Sequence, residues 1–123
     1  MRFVTLLLPL ALLAGCATAG GVTINTNGKH DVVSASGEEV VNAGQGSTVF
    51  AHAHSVIWAH WRSQVIAYEG STVHALSGSD VHAFQGSIVY AEPKSYVEVC
   101  GSVELHASPG AYINRSTASV CLD

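Results

Sequence analysis

Hydrophobic and polar positions along residues 30–101 repeat with a period of eight. Written in eights from His30, the chain reads HDVVSASG, EEVVNAGQ, GSTVFAHA, HSVIWAHW, RSQVIAYE, GSTVHALS, GSDVHAFQ, GSIVYAEP and KSYVEVC. The fourth place holds Val33, Val41, Val49, Ile57, Val65, Val73, Val81, Val89 and Val97. The sixth holds Ala35, Ala43, Ala51, Ala59, Ala67, Ala75, Ala83, Ala91 and Val99, and neither column contains a polar residue. The second place is Asp31, then Glu39, then serine in every octad from Ser47 to Ser95. Places two, four and six share one parity, so they lie on one face of an extended strand, and their composition makes that face the buried one. Each octad therefore predicts a strand of about five residues followed by a Gly-Ser corner.

Regularly spaced short strands suit two all-β architectures, an antiparallel meander closed into a sandwich or barrel and a parallel β-solenoid. A meander has no need of the same residue at every corner, whereas stacked coils place identical side chains above one another. The serine column therefore favours the solenoid, with coils stacked at about 4.8 Å and a thin core of small residues. Two octads would make a flat coil of 16 residues and three a triangular coil of 24. Nine octads complete three triangular coils, and that coil is the one expected. Stacking in it would set Trp58 under His82, His60 under Phe84 and Ile66 beside Tyr90. Cys100 and Cys121 lie 21 residues apart, nearly one such coil, so a disulfide between them is expected to staple the C-terminal end.

The N-terminus has a different composition. Residues 1–15 hold six of the nine leucines, and Arg2 precedes an apolar run over residues 3–13, too short to span a bilayer. The run closes on Leu13-Ala14-Gly15-Cys16, which resembles the lipobox of bacterial lipoproteins. That resemblance implies cleavage before Cys16, acylation of its thiol and anchoring by several acyl chains. Ala17 follows the cysteine where an aspartate would suggest inner-membrane retention, so the outer membrane is the expected destination. The organisation implied is a signal peptide at 1–15, a lipidated tether and cap at 16–29, the repeat solenoid at 30–101 and an atypical coil and cap at 102–123.

The Gly-Ser-x-Val-x-Ala octads resemble repeats of right-handed β-helical proteins of bacterial and phage envelopes, including adhesin-head-like domains. The resemblance implies a right-handed parallel β-helix; it carries over no catalytic residue, and such scaffolds serve adhesion, assembly and glycan binding alike. An ice-binding surface is not expected, because the third place (Thr48, Val56, Gln64, Thr72, Asp80, Ile88, Tyr96) lacks a threonine row.

Function is sought on the outward places, since the inward ones are explained by packing. Aromatic and histidine residues concentrate there between 50 and 90, and Phe50, Trp58, His60, Trp61, Tyr68, His82, Phe84 and Tyr90 form the candidate binding face. His52, His54 and His60 are the candidate ligands for zinc or copper. His74 and His82 are expected on different faces in either coil.

Composition narrows the function classes. The chain carries five Lys/Arg against nine Asp/Glu, for a net charge of −4, which leaves nucleic-acid binding without an electrostatic footing. Glu69, Asp80, Glu92, Glu98 and Glu104 are dispersed, and no nucleophile elbow or phosphate loop occurs, so the chain does not read as an enzyme and implies no resident cofactor. The function expected is a cell-envelope lipoprotein displaying a short β-helical scaffold for binding or assembly. Its partners would be the membrane through the lipid and a second copy, an envelope protein or a glycan. The alternatives are a periplasmic metal-binding module and a phage-encoded lipoprotein that blocks a receptor.

Overall fold

The computed structural model describes residues 22–26 and 30–116. The expected signal peptide, Cys16 and Cys121 lie outside the described residues. Twelve short strands follow one another: β1 (Thr23–Thr26), β2 (Val32–Ala35), β3 (Val40–Ala43), β4 (Thr48–Ala51), β5 (Val56–Ala59), β6 (Gln64–Ala67), β7 (Thr72–Ala75), β8 (Asp80–Ala83), β9 (Ile88–Ala91), β10 (Tyr96–Cys100), β11 (Glu104–Ala107) and β12 (Tyr112–Ser116). From β2 to β9 each occupies places three to six of its octad and the corner takes the other four, while β10 extends through the seventh place.

The strands form two parallel six-stranded sheets. Sheet I is ordered β11-β9-β7-β5-β3-β1 and sheet II β12-β10-β8-β6-β4-β2. Register runs from each residue to the one 16 positions on, as in Val49↔Val65 and Ala59↔Ala75, except between β1 and β3, where it is 17, as in Ile24↔Val41. The chain is therefore a β-solenoid of six flat coils with two octads each, and the triangular coil of three octads is not what forms. At a strand spacing of about 4.8 Å, six coils make a rod roughly 25 Å long. The coils also run past both limits of the expected repeat region, since β1 precedes residue 30 and β11 and β12 follow residue 101.

The corner explains the flat coil. The N–H of the second-place serine donates to the carbonyl of the seventh-place residue three positions earlier, as from Ser47 to Gly44 and from Ser95 to Glu92, both at 3.1 Å. This is the bond of a β-turn, which reverses the chain so that consecutive strands face each other. The serine hydroxyl donates to the same carbonyl, at 2.6 Å for Ser47, Ser55, Ser63, Ser71, Ser79 and Ser95 and 2.7 Å for Ser87. The serines are buried and in line, as their parity requires, but each hydroxyl bonds within its own corner. In the octad that has glutamate there, Glu39 Oε1 accepts the N–H of Ser36 instead.

The first place of most turns adopts positive φ, a region suited to glycine, as at Gly46, Gly70, Gly78 and Gly86, whereas the turn before Glu39 has it one place earlier, at Gly37. His30, His54, Arg62 and Lys94 hold the same conformation without that freedom.

Between the sheets lie mainly valine, alanine, isoleucine and the serines, with Thr26 toward the N-terminal end and Leu105 toward the C-terminal end. Val41, Val49, Ile57, Val65, Val73, Val81, Val89 and Val97 are fully buried, as are the alanines from Ala35 to Ala83. At the C-terminal end the seal loosens: Leu105, Ala111 and Ile113 are only partly buried against the core.

Candidate functional site

With a coil of 16 residues, the outward places align in columns different from those expected for a triangular coil. Trp58 lies beside His74, not His82, and Tyr90 is paired with His74 and His106, not Ile66. On sheet I the fifth-place column runs Asn25, Asn42, Trp58, His74, Tyr90, His106. Its four rings are stacked nearly parallel. Centroids are 3.9 Å apart for Trp58–His74, 5.1 Å for His74–Tyr90 and 4.7 Å for Tyr90–His106, with interplanar angles of 7°, 11° and 11°. Below the rings, Asn42 Nδ2 donates to Asn25 Oδ1 at 2.8 Å.

Stacking decides what this column can offer. Inner rings have a neighbour on each face, so they present their edges outward, where the indole and phenol polar atoms sit. Trp58 and Tyr90 remain 37% and 40% exposed. Beside them the third-place residues Val56, Thr72 and Ile88 make a mostly apolar strip. The column runs into a hollow of about 390 Å³ lined by Tyr90, Ala91, Glu92, His106, Ala107 and Ser108. Enclosure between Trp58 and Tyr90 lowers the pKa of His74 by desolvation, and the nearby Glu92 carboxylate partly opposes that shift. At the end of the column His106 Nε2 is 2.9 Å from Glu104 Oε2.

Sheet II carries a second column at the seventh place. His52, Tyr68 and Phe84 stack at 5.1 and 5.6 Å, with angles of 9° and 8°. Its fifth-place column runs Phe50, Ile66, His82, Glu98, Asn114. His82 Nδ1 lies 2.9 Å from Glu98 Oε1 and its Nε2 3.7 Å from Asp80 Oδ1, while Glu98 Oε2 accepts the Ser116 hydroxyl at 2.7 Å.

The eight residues of the candidate face therefore do not share one face. Trp58, His60 and Tyr90 belong to sheet I; Phe50, Tyr68, His82 and Phe84 belong to sheet II; Trp61 stands at a corner between them. His74 and His82 fall on opposite sheets, as both coil sizes required. The histidines expected to bind zinc or copper are dispersed too. His52 is stacked on Tyr68 at one end of sheet II, His54 sits at the following corner, and His60 follows β5 of sheet I. Among the described residues no three His, Cys, Asp or Glu side chains come together in a way that could hold a metal ion. A flat coil sends alternate octads to opposite sheets, so His52 and His60 cannot converge.

His74 and His106 lie outside the candidate face that the sequence predicts, although their column links Trp58 to Tyr90. The column is legible in the sequence only when the outward places are aligned at a period of 16. Tyr96 and Tyr112, neighbours on sheet II, are 44% and 63% exposed and also lie outside the predicted face. Cys100, at the end of β10, is buried, and its expected partner Cys121 lies outside the described residues. No protein family, curated protein or solved structure matches this chain.

Proposed function

We propose that this chain is a lipid-anchored protein of the bacterial outer membrane that holds a rigid β-solenoid at the envelope and presents its outward columns for binding. The lipobox-like Leu13-Ala14-Gly15-Cys16 supports the anchor. From Cys16 to Thr23 the tether can span at most about 25 Å, which keeps the β1 end of the rod near the lipid and leaves the β12 end farther out.

The observation that carries the binding half is the column Trp58–His74–Tyr90–His106, half-exposed on a flat sheet and opening into the hollow at Tyr90 and His106. Packing in the core accounts for the inward columns and leaves this one unexplained. The rod needs no closing motion to present it, because the groups are held in place by the same ladder that forms the fold. The mechanism is display, not chemistry.

The anchor is tested by growing producing cells with labelled palmitate. Label in the parent and none in Cys16→Ser supports it; an unlabelled parent overturns it. The binding face is tested with a photo-crosslinking residue at Tyr90 in intact cells. A discrete adduct there, and none from the same residue at Glu38 on the far corner, is expected; no adduct at Tyr90 refutes the assignment. A bridge between Cys100 and Cys121 belongs to the same reading of an exported chain. Alkylation of both thiols without prior reduction would refute it.

A further inference from the structure

The flat coil aligns residues that no triangular coil would bring together. Along the edge that follows sheet I, the first-place column reads His30, Gly46, Arg62, Gly78, Lys94, Gly110, joined by backbone bonds from each N–H to the next carbonyl at 2.9–3.0 Å. Every second step bears a cationic or protonatable side chain, and every step between is glycine. His30, Arg62 and Lys94 are therefore two coils apart, about 10 Å. All three have φ between 63° and 69°, a conformation that costs a residue with a Cβ about 1–2 kcal/mol. Glycine fills the neighbouring steps, so the column does not demand these side chains for its backbone; His54 on the opposite edge holds the same conformation, with φ 72°.

The steps between these side chains are also built. Between His30 and Arg62 is a cleft of about 230 Å³ lined by those two residues with Gln45 and Gly46. Between Arg62 and Lys94, the Trp61 ring lies against Gly78, where a Cβ would meet its Cδ1 at 2.0 Å. Trp61 remains 54% exposed, and the Arg62 guanidinium stands 4.6 Å from the centre of its ring. Neither Arg62 nor Lys94 is ion-paired among the described residues. Asp31 and Glu92 share this edge with the basic residues, while Glu38, Glu39 and Glu69 lie on the opposite edge with His54.

We propose that the edge formed by His30, Gln45, Trp61, Arg62 and Lys94 binds a linear polysaccharide with an anionic group on alternate sugars. The inference rests on the display reading above for its envelope setting and names a ligand class for that scaffold. Each cation meets one carboxylate or sulfate, at a spacing of about 10 Å that suits a disaccharide repeat. The intervening sugars lie over the Gln45 cleft, whose amide hydrogen-bonds hydroxyl groups, and over the exposed indole, which packs on apolar sugar C–H surface. The N–H groups of His30, Gly46, Arg62, Gly78 and Lys94 are engaged in the ladder, so at these steps recognition falls to side chains. The binding is electrostatic in part and weakens as salt rises.

The test is native affinity electrophoresis of the full-length chain in detergent, with hyaluronate, heparin, neutral dextran or polyphosphate in the gel. Hyaluronate places carboxylates on alternate sugars and heparin adds sulfates, so the two arms distinguish sources of the anionic group. Retardation by hyaluronate or heparin, with none by dextran, is expected. Arg62→Gly and Lys94→Gly each reduce it about tenfold. Both variants introduce the residue that the neighbouring steps already use, so they relieve strain and leave the fold intact. Trp61→Ala weakens binding to the polysaccharides, and Glu69→Gln on the opposite edge leaves it unchanged. Equal retardation by polyphosphate with no effect of Trp61→Ala would show a response to charge alone and overturn the proposal, as would no retardation by either acidic polysaccharide. Lipid labelling does not depend on Arg62, and electrophoresis does not depend on export, so failure here is distinguishable from failure of the display reading.

Discussion

Replacing Gly78 by alanine tests both the corner geometry and the position of Trp61. Gly78 has φ +83°, and a Cβ built on it falls 2.0 Å from Trp61 Cδ1. Gly37 offers a control, with φ +63° and nothing within 4 Å of the added carbon. Positive φ costs an L residue about 1–2 kcal/mol, and the stiffer unfolded chain returns about 0.4–1 kcal/mol. Gly37→Ala should therefore destabilise by roughly 0–1.5 kcal/mol. At Gly78 the ring must also retreat by about 1.5–2 Å to reach an ordinary carbon–carbon separation. Trp61 is half-exposed and can swing toward solvent, but it then leaves Gly78 and the Arg62 guanidinium, a contact worth about 0.5–1 kcal/mol. Gly78→Ala should cost about 1 kcal/mol more than Gly37→Ala. In a Trp61→Ala background that excess should vanish, giving a coupling energy of about 1 kcal/mol. Urea unfolding of the four-member cycle, followed by far-ultraviolet circular dichroism, measures each value. Equal losses at Gly37 and Gly78, with no effect of removing the indole, would refute the packing of Trp61 on this edge.

Other consequences follow from the same geometry. Ala75 is fully buried with Ala59 and Ala91 as its sheet neighbours, so Ala75→Leu should overpack the core and cost about 1–3 kcal/mol, and Ala83→Leu the same; parent-like melting of both would place that column outside the core. Ser71→Ala removes the hydroxyl bond to Tyr68 at 2.6 Å but leaves the Ser71 N–H donating to the same carbonyl at 3.1 Å. The expected loss is about 1 kcal/mol, and a loss as large as that of an orphaned buried carbonyl, about 3 kcal/mol, would contradict the shared acceptor. The pKa of His74 is lowered in the fold below its usual 6.5, so the unfolded chain binds the extra proton first. Stability should therefore be full above pH 6.5 and fall as pH drops through the lowered folded value. His74→Phe keeps a ring in the stack and should remove this component from the pH dependence of the melting temperature; an unchanged profile would refute it.

The chain's own pattern determines most of this architecture. Alternating parity at places two, four and six makes one face of every octad small and apolar, and burying that face is the only large favourable term open to so short a strand. The all-β class, the valine and alanine core and the inward serines are legible for that reason: parity is local and survives any choice of coil. Coil size is not local. It depends on how far each corner turns the chain, and that is set by positive φ at the first place and by the bond from the second-place N–H to the seventh-place carbonyl, as at Ser47 and Gly44. Only the closed coil makes position i and position i+16 neighbours, and every outward column follows from that choice. Trp58 thus meets His74 instead of His82, the candidate metal histidines separate, and His30, Arg62 and Lys94 come into line along one edge. Inward residues are specified by the environment that all coils share, whereas outward residues acquire neighbours only when the coils stack. The sequence therefore determines what is buried, and the tertiary structure decides what stands beside what on the surface.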